Sequence, residues 1–280
     1  IALTATRSRN AKRDLIAAVL REASRDDVEI VVSYLSGSLR QRRTGVGWKS
    51  LQSIPPPAGE ASLTVSEVDA VFEHVAGLRG AGSTAAQTAA MDALLARATA
   101  EEQDLLRGLV FGELRQGAME AAVQEGLAAA FDVPIAAVRR AAMLMSSTTG
   151  AAALLLTGGL EALLAVGLRV GVGIQPMLAA SAPGPDAALS KTGLPAVVDY
   201  KLDGVRVQVH RRGEEVRIFT RSLDDITARL PEVVAVAQSL PHDQLVLDGE
   251  VLSLRSDGRP EAFQVVASRT MSSVDVAALA

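Results

Sequence analysis

The spacing of apolar residues changes once along this chain, and that change constrains the fold more than any other feature. From Asn10 to about Ala165, apolar residues recur three or four positions apart, which is the period of an amphipathic helix. After residue 200, Val205, Val207 and Val209 alternate with polar residues, as in a half-buried strand. The sequence therefore predicts an α+β protein, with an all-α first part and an antiparallel sheet in the second part.

Three capping boxes support the helical first part. In each, a threonine precedes a Glu or Gln by three residues, an arrangement that satisfies unpaired N–H groups at a helix start. The pairs are Thr64 with Glu67, Thr84 with Gln87, and Thr99 with Glu102. We predict that helices begin at all three threonines.

A change in composition separates the two parts. Residues 168–191 are rich in Gly, Pro, Ala and Ser, and three prolines there oppose regular structure. We predict a helical domain over residues 1–167, a linker over 168–191 and a second domain over 192–280. The most apolar stretch, 151–166, contains Gly158 and Gly159. We expect it to be too short to cross a bilayer of about 30 Å and to form a buried helix pair broken at the glycines, so no membrane partner is predicted.

The second part has the pattern of a hairpin followed by a helix and a last strand. The alternation of residues 205–210 resumes over 216–220, with a turn at 211–214 between them. Ser222 or Asp224 is predicted to cap the helix that follows. Residues 245–252 form the last predicted strand, in which Asp248 and Glu250 share a face because they are two positions apart.

Charge is unevenly distributed along the chain. The formal net charge is −4, yet residues 1–50 hold ten Lys or Arg against five Asp or Glu. Local charge, not the total, attracts a phosphate backbone, so an acidic protein can still bind DNA. The sequence contains no cysteine, which fits a reducing cytoplasm.

Two non-periodic stretches interrupt the helical part. The range Arg40–Lys49 places four cations and the only tryptophan around two glycines, where backbone N–H groups could approach a phosphate. A solvated basic loop anchored by Trp48 explains the same residue types equally well. The range Gly112–Gly117 lies where one helix ends and another begins, so its helix N-terminus could bind an anion or could simply be a turn.

Lys201 is the candidate nucleophile. It lies between the apolar residues 196–198, read as a strand end, and the strand that begins at Val205. Only a neutral lysine amine attacks phosphorus or carbonyl carbon, and burial near other cations favours that form. We therefore expect Lys201 to be buried, although a solvated lysine at a strand end is the alternative.

The residues around Lys201 resemble a known signature. Lys201-Leu202-Asp203-Gly204, followed by Arg206, is similar to the nucleotidyltransferase motif of ATP-dependent DNA ligases, RNA ligases and capping enzymes. The longer run from Tyr200 to Asp225, together with Gln175–Ala179, resembles DNA ligases of actinobacterial and archaeal type in particular. In this family a helical DNA-binding domain precedes an ATP-grasp-like adenylation domain.

The resemblance implies roles for individual residues. Lys201 would carry AMP, Asp199 would lie beside the adenine, Arg206 and Arg221 would contact ribose and phosphates, and Glu250 would hold the ribose or Mg²⁺. The Gly-Val-Gly loop (Gly45–Gly47) and the Leu-Arg-x-Gly turn (Leu114–Gly117) would lie in the minor groove of nicked double-stranded DNA. The implied DNA-binding residues are Arg42, Arg43, Gly45, Gly47, Lys49, Arg115 and Gly117.

The chain departs from the family pattern in two respects. Asp199 stands where the family usually has Glu, which shortens the side chain by one methylene. The family's adenine-stacking Phe motif, a second acidic motif, two lysine motifs and an OB-fold are expected beyond Ala280. The resemblance implies ATP and Mg²⁺ as cofactors, and we expect a monomer in the cytoplasm, at the nucleoid. A catalytically dead DNA-binding scaffold and an RNA ligase remain alternatives.

Overall fold

A computed structural model describes residues 2–41, 44–47, 51, 54–114, 119–177 and 179–271. The chain divides into two compact units. The first comprises Ile1–Ala142 and Ser147–Val166, and the second comprises Met143–Ser146 and Gly167–Ala280. Helices form the first unit and an antiparallel sheet lies in the second, so the predicted α+β class is confirmed.

Helices account for the regular structure of the first unit. They are α1 (Ala2–Ala5), α2 (Arg9–Glu22), α3 (Val28–Leu35), α4 (Val65–Gly77), α5 (Ser83–Arg97), α6 (Ala100–Phe111), α7 (Met119–Phe131), α8 (Ile135–Met145, whose last turn enters the second unit) and α9 (Thr148–Ala165). α2 packs along α7, α3 against α9, and α4 against α5. Fully buried side chains of Phe72, Met91 and Leu95 form the centre of the α4–α5–α6 core.

Two of the three capping boxes form as predicted. The side chains of Thr64 and Thr99 accept hydrogen bonds from the backbone N–H of Glu67 and Glu102, and the two glutamate carboxylates accept the backbone N–H of the threonines. The third prediction is wrong, because α5 begins at Ser83 after Gly82, whose φ of 82° lies in the left-handed region. Gln87, the expected partner of Thr84, is instead buried in the core.

Helix α9 is broken at a glycine, as predicted for this apolar stretch. Gly159 has φ 62° and ψ −156°, which interrupts the helical backbone conformation and produces a kink. The whole helix Thr148–Ala165 is longer than the apolar stretch 151–166, and its 18 residues pass a test for membrane-spanning helices by length and composition alone. The core helix of a soluble protein passes the same test, and Ala151, Ala152, Leu155 and Leu163 of α9 are buried in the first unit.

The second unit holds a three-stranded antiparallel sheet. Its elements are α10 (Pro185–Thr192), β1 (Val205–Arg212), β2 (Glu215–Thr220), a 3₁₀ turn (Thr227–Arg229), α11 (Pro231–Ser239), β3 (Gln244–Val251) and α12 (Phe263–Met271). The strand order is β2-β1-β3. The predicted hairpin and last strand are thus confirmed to within a few residues, with Arg206 opposite Glu250 in the register.

One face of β1 is buried and the other is partly covered. Val207 and Val209 pack on one face with Ile218 and residues of α11, forming the apolar core. On the other face, Gln208 bonds both backbone groups of Ile174, accepting from its N–H at 2.8 Å and donating to its C=O at 2.6 Å. Part of the face that alternation predicts as solvent-facing, at Gln208 and His210, is therefore covered by residues 171–174, whereas Arg206 and Arg212 on that face are exposed.

Two local predictions in the second unit are wrong. Residues 168–191 were expected to lack regular structure, yet Pro185 is the first residue of α10, a position where its missing N–H costs no hydrogen bond. The helix expected after Ser222 begins at Pro231. Ser222 instead donates to Asp224 at 2.6 Å within a turn that contains Leu223 at φ 68°.

Candidate functional site

An open cavity of about 1290 Å³ lies in the second unit beside the start of β1. Its lining contains four of the residues implied in nucleotide transfer, which are Lys201, Arg206, Arg221 and Glu250. These residues come from a loop, from β1, from the turn that follows β2 and from β3. The fifth, Asp199, lies outside the described lining, and its Oδ1 accepts a hydrogen bond from the N–H of Tyr200 at 2.7 Å.

The side chain of Lys201 is not buried, so that expectation is wrong. It is 87% exposed, and its Nζ lies 3.8 Å from Oδ1 of Asp203. The predicted strand over residues 196–198 is also absent from this described segment, where Val197 is 97% exposed. A strand requires a hydrogen-bonding neighbour, and no described strand pairs with these residues.

Gly204 brings the loop that contains Lys201 against β3. Its backbone N–H donates to Oε1 of Glu250 at 3.1 Å. A Cβ atom on Gly204 would overlap the carbonyl oxygen of Val251 and lie 2.9 Å from Cγ of Glu250. The glycine is therefore required by its close approach to β3.

Arg206 is held by Asp248 in a bidentate ion pair. Nε donates to Oδ1 at 3.0 Å and Nη2 donates to Oδ2 at 2.8 Å. This hydrogen bonding, followed by the attraction between the opposite charges, raises the pKa of Arg206. The same hydrogen bonds lower the pKa of the Asp248 carboxyl. The pair fixes the guanidinium plane at the wall of the cavity.

Arg221 is a cation of the same cavity with no ion pair or hydrogen bond among the described residues. The lining as a whole is balanced in charge: it carries four cations and four carboxylates. The cations are Lys201, Arg206, Arg221 and Arg229, and the carboxylates are Asp203, Asp224, Asp225 and Glu250. An anion bound there would contact both signs, so a metal ion shared with its phosphates would strengthen binding.

The fit of Mg²⁺ to this lining depends on the phosphates of a bound nucleotide. Within the described ranges, no group of three His, Asp or Glu side chains is placed to hold a metal by itself. Mg²⁺ in nucleotide sites is commonly held by one or two carboxylates together with substrate phosphates. Glu250 and the neighbouring carboxylates fit that arrangement, in which the phosphates complete the coordination.

Sequence reasoning missed an aromatic residue of this cavity. Phe263, the first residue of α12, lines it and is 37% exposed. An ion pair of 2.9 Å between Arg269 and Glu232 ties α12 to α11, and Arg229 donates to the carbonyl of Thr270. The sequence pattern did not single out this ring. The sequence feature that could have drawn attention to Phe263 is the scarcity of aromatic residues, because the chain has five Phe.

A second candidate site lies in the first unit. Gly45 and Gly47 line a groove of about 660 Å³ together with Gly37–Leu39 and the end of α6. Gly112, which opens the second predicted DNA-binding stretch, lines the same groove. The structure thus places the two glycines of the first stretch beside the first residue of the second stretch. Arg42, Arg43, Lys49, Arg115 and Gly117 lie outside the described residues.

Comparisons with known proteins match two successive parts of the chain. Residues 49–128 match the family model described as "DNA ligase N terminus", and residues 176–280 match "ATP dependent DNA ligase domain". A solved structure titled "Pmar-Lig_Pre." has a similar fold, with a TM-score of 0.51, 19% identity, and coverage of 95% of this chain and 50% of that chain.

Several curated relatives are much more similar in sequence. A "Probable DNA ligase" of Nocardioides sp. is 55% identical over 275 residues, covering 96% of this chain and 54% of the relative. One of Kineococcus radiotolerans is 56% identical over 272 residues, with coverage of 96% and 54%. The chain spans about half the length of these relatives. With both family models matched in order, the chain belongs to the ATP-dependent DNA ligase family.

Proposed function

We propose that this chain is part of an enzyme that seals nicks in duplex DNA through an AMP adduct on Lys201. The observation that carries the proposal is the convergence of Lys201, Arg206, Arg221 and Glu250 on one cavity that Phe263 also lines. The cavity offers a nucleophile, cations for phosphates, a carboxylate for ribose or metal, and an aromatic face for a base. The proposal places the enzyme in the cytoplasm, at the nucleoid, as a monomer.

In the proposed first step, Nζ of Lys201 attacks the α-phosphorus of ATP. An N–P bond forms, the bond from phosphorus to the bridging oxygen breaks, pyrophosphate leaves and the amine loses a proton. Charge spread over the phosphate oxygens is stabilised by fixed cations, the role assigned to Arg206 and Arg221. Mg²⁺, when bound, neutralises phosphate charge. Glu250 would hold the ribose or the metal.

The high exposure of Lys201 sets a condition on this step. A lysine amine attacks only when neutral, and removal of water favours that form. In the proposed reaction the bound nucleotide covers Lys201 and excludes water from it. The AMP would then pass to the 5′-phosphate at the nick, and the 3′-hydroxyl would displace it to seal the strand.

The first unit is proposed to hold the nicked duplex. Support comes from the groove that contains Gly45, Gly47 and Gly112, where backbone groups without side chains can approach phosphates. Arg42, Arg43, Lys49, Arg115 and Gly117 are proposed contacts on the residue-by-residue resemblance. The change of Arg42, Arg43 or Arg115 to Ala should weaken duplex binding and reduce the salt slope by about 0.9 per lost phosphate contact.

Mass spectrometry tests the catalytic proposal. The full-length protein is incubated with ATP and Mg²⁺, and the intact mass is compared with that of Lys201→Ala. We expect a gain of one AMP that the variant lacks, whereas Lys191→Ala, a lysine of α10 outside the cavity lining, should retain it. If the full-length protein gains no AMP, the proposal fails.

A non-catalytic DNA-binding scaffold is the second candidate, favoured by the 87% exposure of the Lys201 side chain. It predicts duplex binding that is unchanged in Lys201→Ala, and no adduct at any ATP concentration. An RNA ligase is the third, and sealing rates on nicked DNA and nicked RNA duplexes would distinguish it.

A further inference from the structure

Gln87 connects the Gly-Val-Gly loop to the helical core of the first unit. Its side chain projects from α5 and is 6% exposed. Nε2 donates to the carbonyl of Val75 on α4 at 3.2 Å and to the carbonyl of Thr44 at 3.4 Å. Thr44 immediately precedes Gly45, so one buried amide ties the base of the loop to the core.

Gly45 is the residue that allows this contact. Its φ of +76° lies in the left-handed region, which residues with a Cβ adopt at a cost. A Cβ atom there would also lie 2.9 Å from Nε2 of Gln87. The loop backbone and the Gln87 amide therefore occupy positions that only glycine at residue 45 permits together.

Arg40 and Gln41, which precede the loop, are held by α4. Asp69 of α4 is buried, and its Oδ2 lies 2.9 Å from Nη2 of Arg40. Its Oδ1 accepts a hydrogen bond from Nε2 of Gln41 at 3.2 Å. Anchors from α4 and α5 thus fix the chain on both sides of positions 42 and 43.

We infer that Gln87 is a positioning residue for duplex DNA, holding the backbone of Thr44 and Gly45 so that the loop 44–47 is presented to the phosphate backbone. The inference rests on the proposed function of this loop in DNA binding. If a loop samples several conformations, its apparent affinity for DNA falls in proportion to the fraction of molecules in the conformation that binds. Since the bound contacts are the same, loss of positioning should lower affinity without altering the number of phosphates neutralised.

A matched pair of variants tests this. Gln87→Met keeps the length of the side chain and removes the donor. Gln103→Met is the control, because Gln103 is 7% exposed in the same core and donates to the carbonyls of Leu95 and Pro55 at 2.8 and 3.1 Å. Anisotropy of a labelled nicked duplex is measured over a range of salt concentrations with the 280-residue chain.

We expect Gln87→Met to raise Kd by about fivefold to tenfold, as for loss of the net contribution of about one hydrogen bond. The slope of log K against log salt should stay that of the wild type, whereas Arg42→Ala or Arg43→Ala should reduce it by about 0.9. Gln103→Met should change Kd by less than about twofold, although both variants lose two hydrogen bonds and unfold at similar denaturant concentrations.

Glycine variants give a second measurement. Gly45→Ala introduces both backbone strain and contact with Gln87, while Gly80→Ala at φ +86° introduces strain alone, with no atom within 4 Å. Only Gly45→Ala should weaken duplex binding.

Each result separates the two proposals. Equal affinities of Gln87→Met and Gln103→Met, with weaker binding in the arginine variants, would overturn the inference and leave the DNA-binding loop intact. Wild-type behaviour of all variants would overturn both. Weaker binding in Gln87→Met alone would support the positioning role and reject the arginine contacts.

Discussion

The backbone N–H of Gly204 and the Oε1 atom of Glu250 are joined by a hydrogen bond of 3.1 Å, so the loop that contains Lys201 directly contacts a carboxylate of β3. This contact places Glu250 in the same cavity as Lys201. It depends on the absence of a Cβ at residue 204, because Leu252 Cδ2 would lie 2.6 Å from that atom. The site is therefore sensitive to one methyl group.

We expect Gly204→Ala to lose at least tenfold in the rate of AMP transfer to Lys201, measured by mass spectrometry on the full-length protein. Overpacking against a backbone that cannot move should also lower the free energy of unfolding by about 1–3 kcal/mol. Gly249→Ala is the control, since β3 leaves open space there with no atom within 4 Å. Equal rates in the two variants would contradict the proposed role of this close contact.

Asp248 orients Arg206, and the negative charge of Asp248 can be removed with little change in the shape of its side chain. We expect Asp248→Asn to reduce the rate of AMP transfer by about tenfold, because the guanidinium loses its bidentate partner and leaves the cavity wall. The free energy of unfolding should change by less than about 1 kcal/mol, as both side chains are partly exposed.

The ion pair between Arg217 and Glu215 provides the control for Asp248→Asn. Its Nε–Oε1 distance is 2.9 Å, its exposure is similar, and it belongs to the same sheet but not to the cavity lining. Glu215→Gln should keep the wild-type rate. A tenfold loss in Glu215→Gln as well would attribute the effect to the charge of the sheet and not to Arg206.

Phe263 is predicted to stack on the adenine base. Stacking of a base on an aromatic ring contributes about 1–3 kcal/mol, so Phe263→Ala should raise the KM for ATP by about tenfold or more while kcat changes little. Val265→Ala on the same helix is the control, because this exposed residue does not line the cavity. A kcat effect without a change in KM would reject stacking as the role of the ring.

The parts of the structure that were predictable from sequence are those decided by neighbours in the chain. The hairpin of β1 and β2 follows from alternation on both sides of a short turn, and the caps at Thr64 and Thr99 follow from residues three positions away. The grouping of Lys201 with Glu250 remains a proposal about chemistry, although the structure places both at one cavity.

The incorrect predictions have non-local causes. Gln87 has the spacing of a capping partner, but its amide is used by the carbonyl of Thr44, 43 residues earlier. Burial of Lys201 was inferred from apolar neighbours in sequence, while burial requires a second layer, which no described element provides here. His210 occupies the polar face of a strand and is buried because residues 171–174 cover that face.

His210 predicts a pH dependence of stability for the second unit. Its ring is 1% exposed, lies at 89° to the ring of Phe219 with centroids 5.3 Å apart, and accepts the N–H of Gly171 on Nδ1 at 3.0 Å. Burial lowers its pKa below the ordinary value of 6.5. The folded state therefore holds the neutral ring at a pH where the unfolded chain already binds a proton.

A lowered folded pKa means that the full contribution of His210 to stability is present above pH 6.5 and declines as the pH falls toward the folded value. Within that window, the free energy of unfolding should fall by up to about 1.4 kcal/mol per pH unit, because the unfolded state binds up to one more proton than the folded state. Denaturant unfolding between about pH 7.5 and 5 measures this slope. His210→Gln should abolish this slope, because the amide does not titrate. His242→Gln, at an exposed position between α11 and β3, should keep it. A slope that persists in His210→Gln and disappears in His242→Gln would show that the buried ring is not the group that titrates.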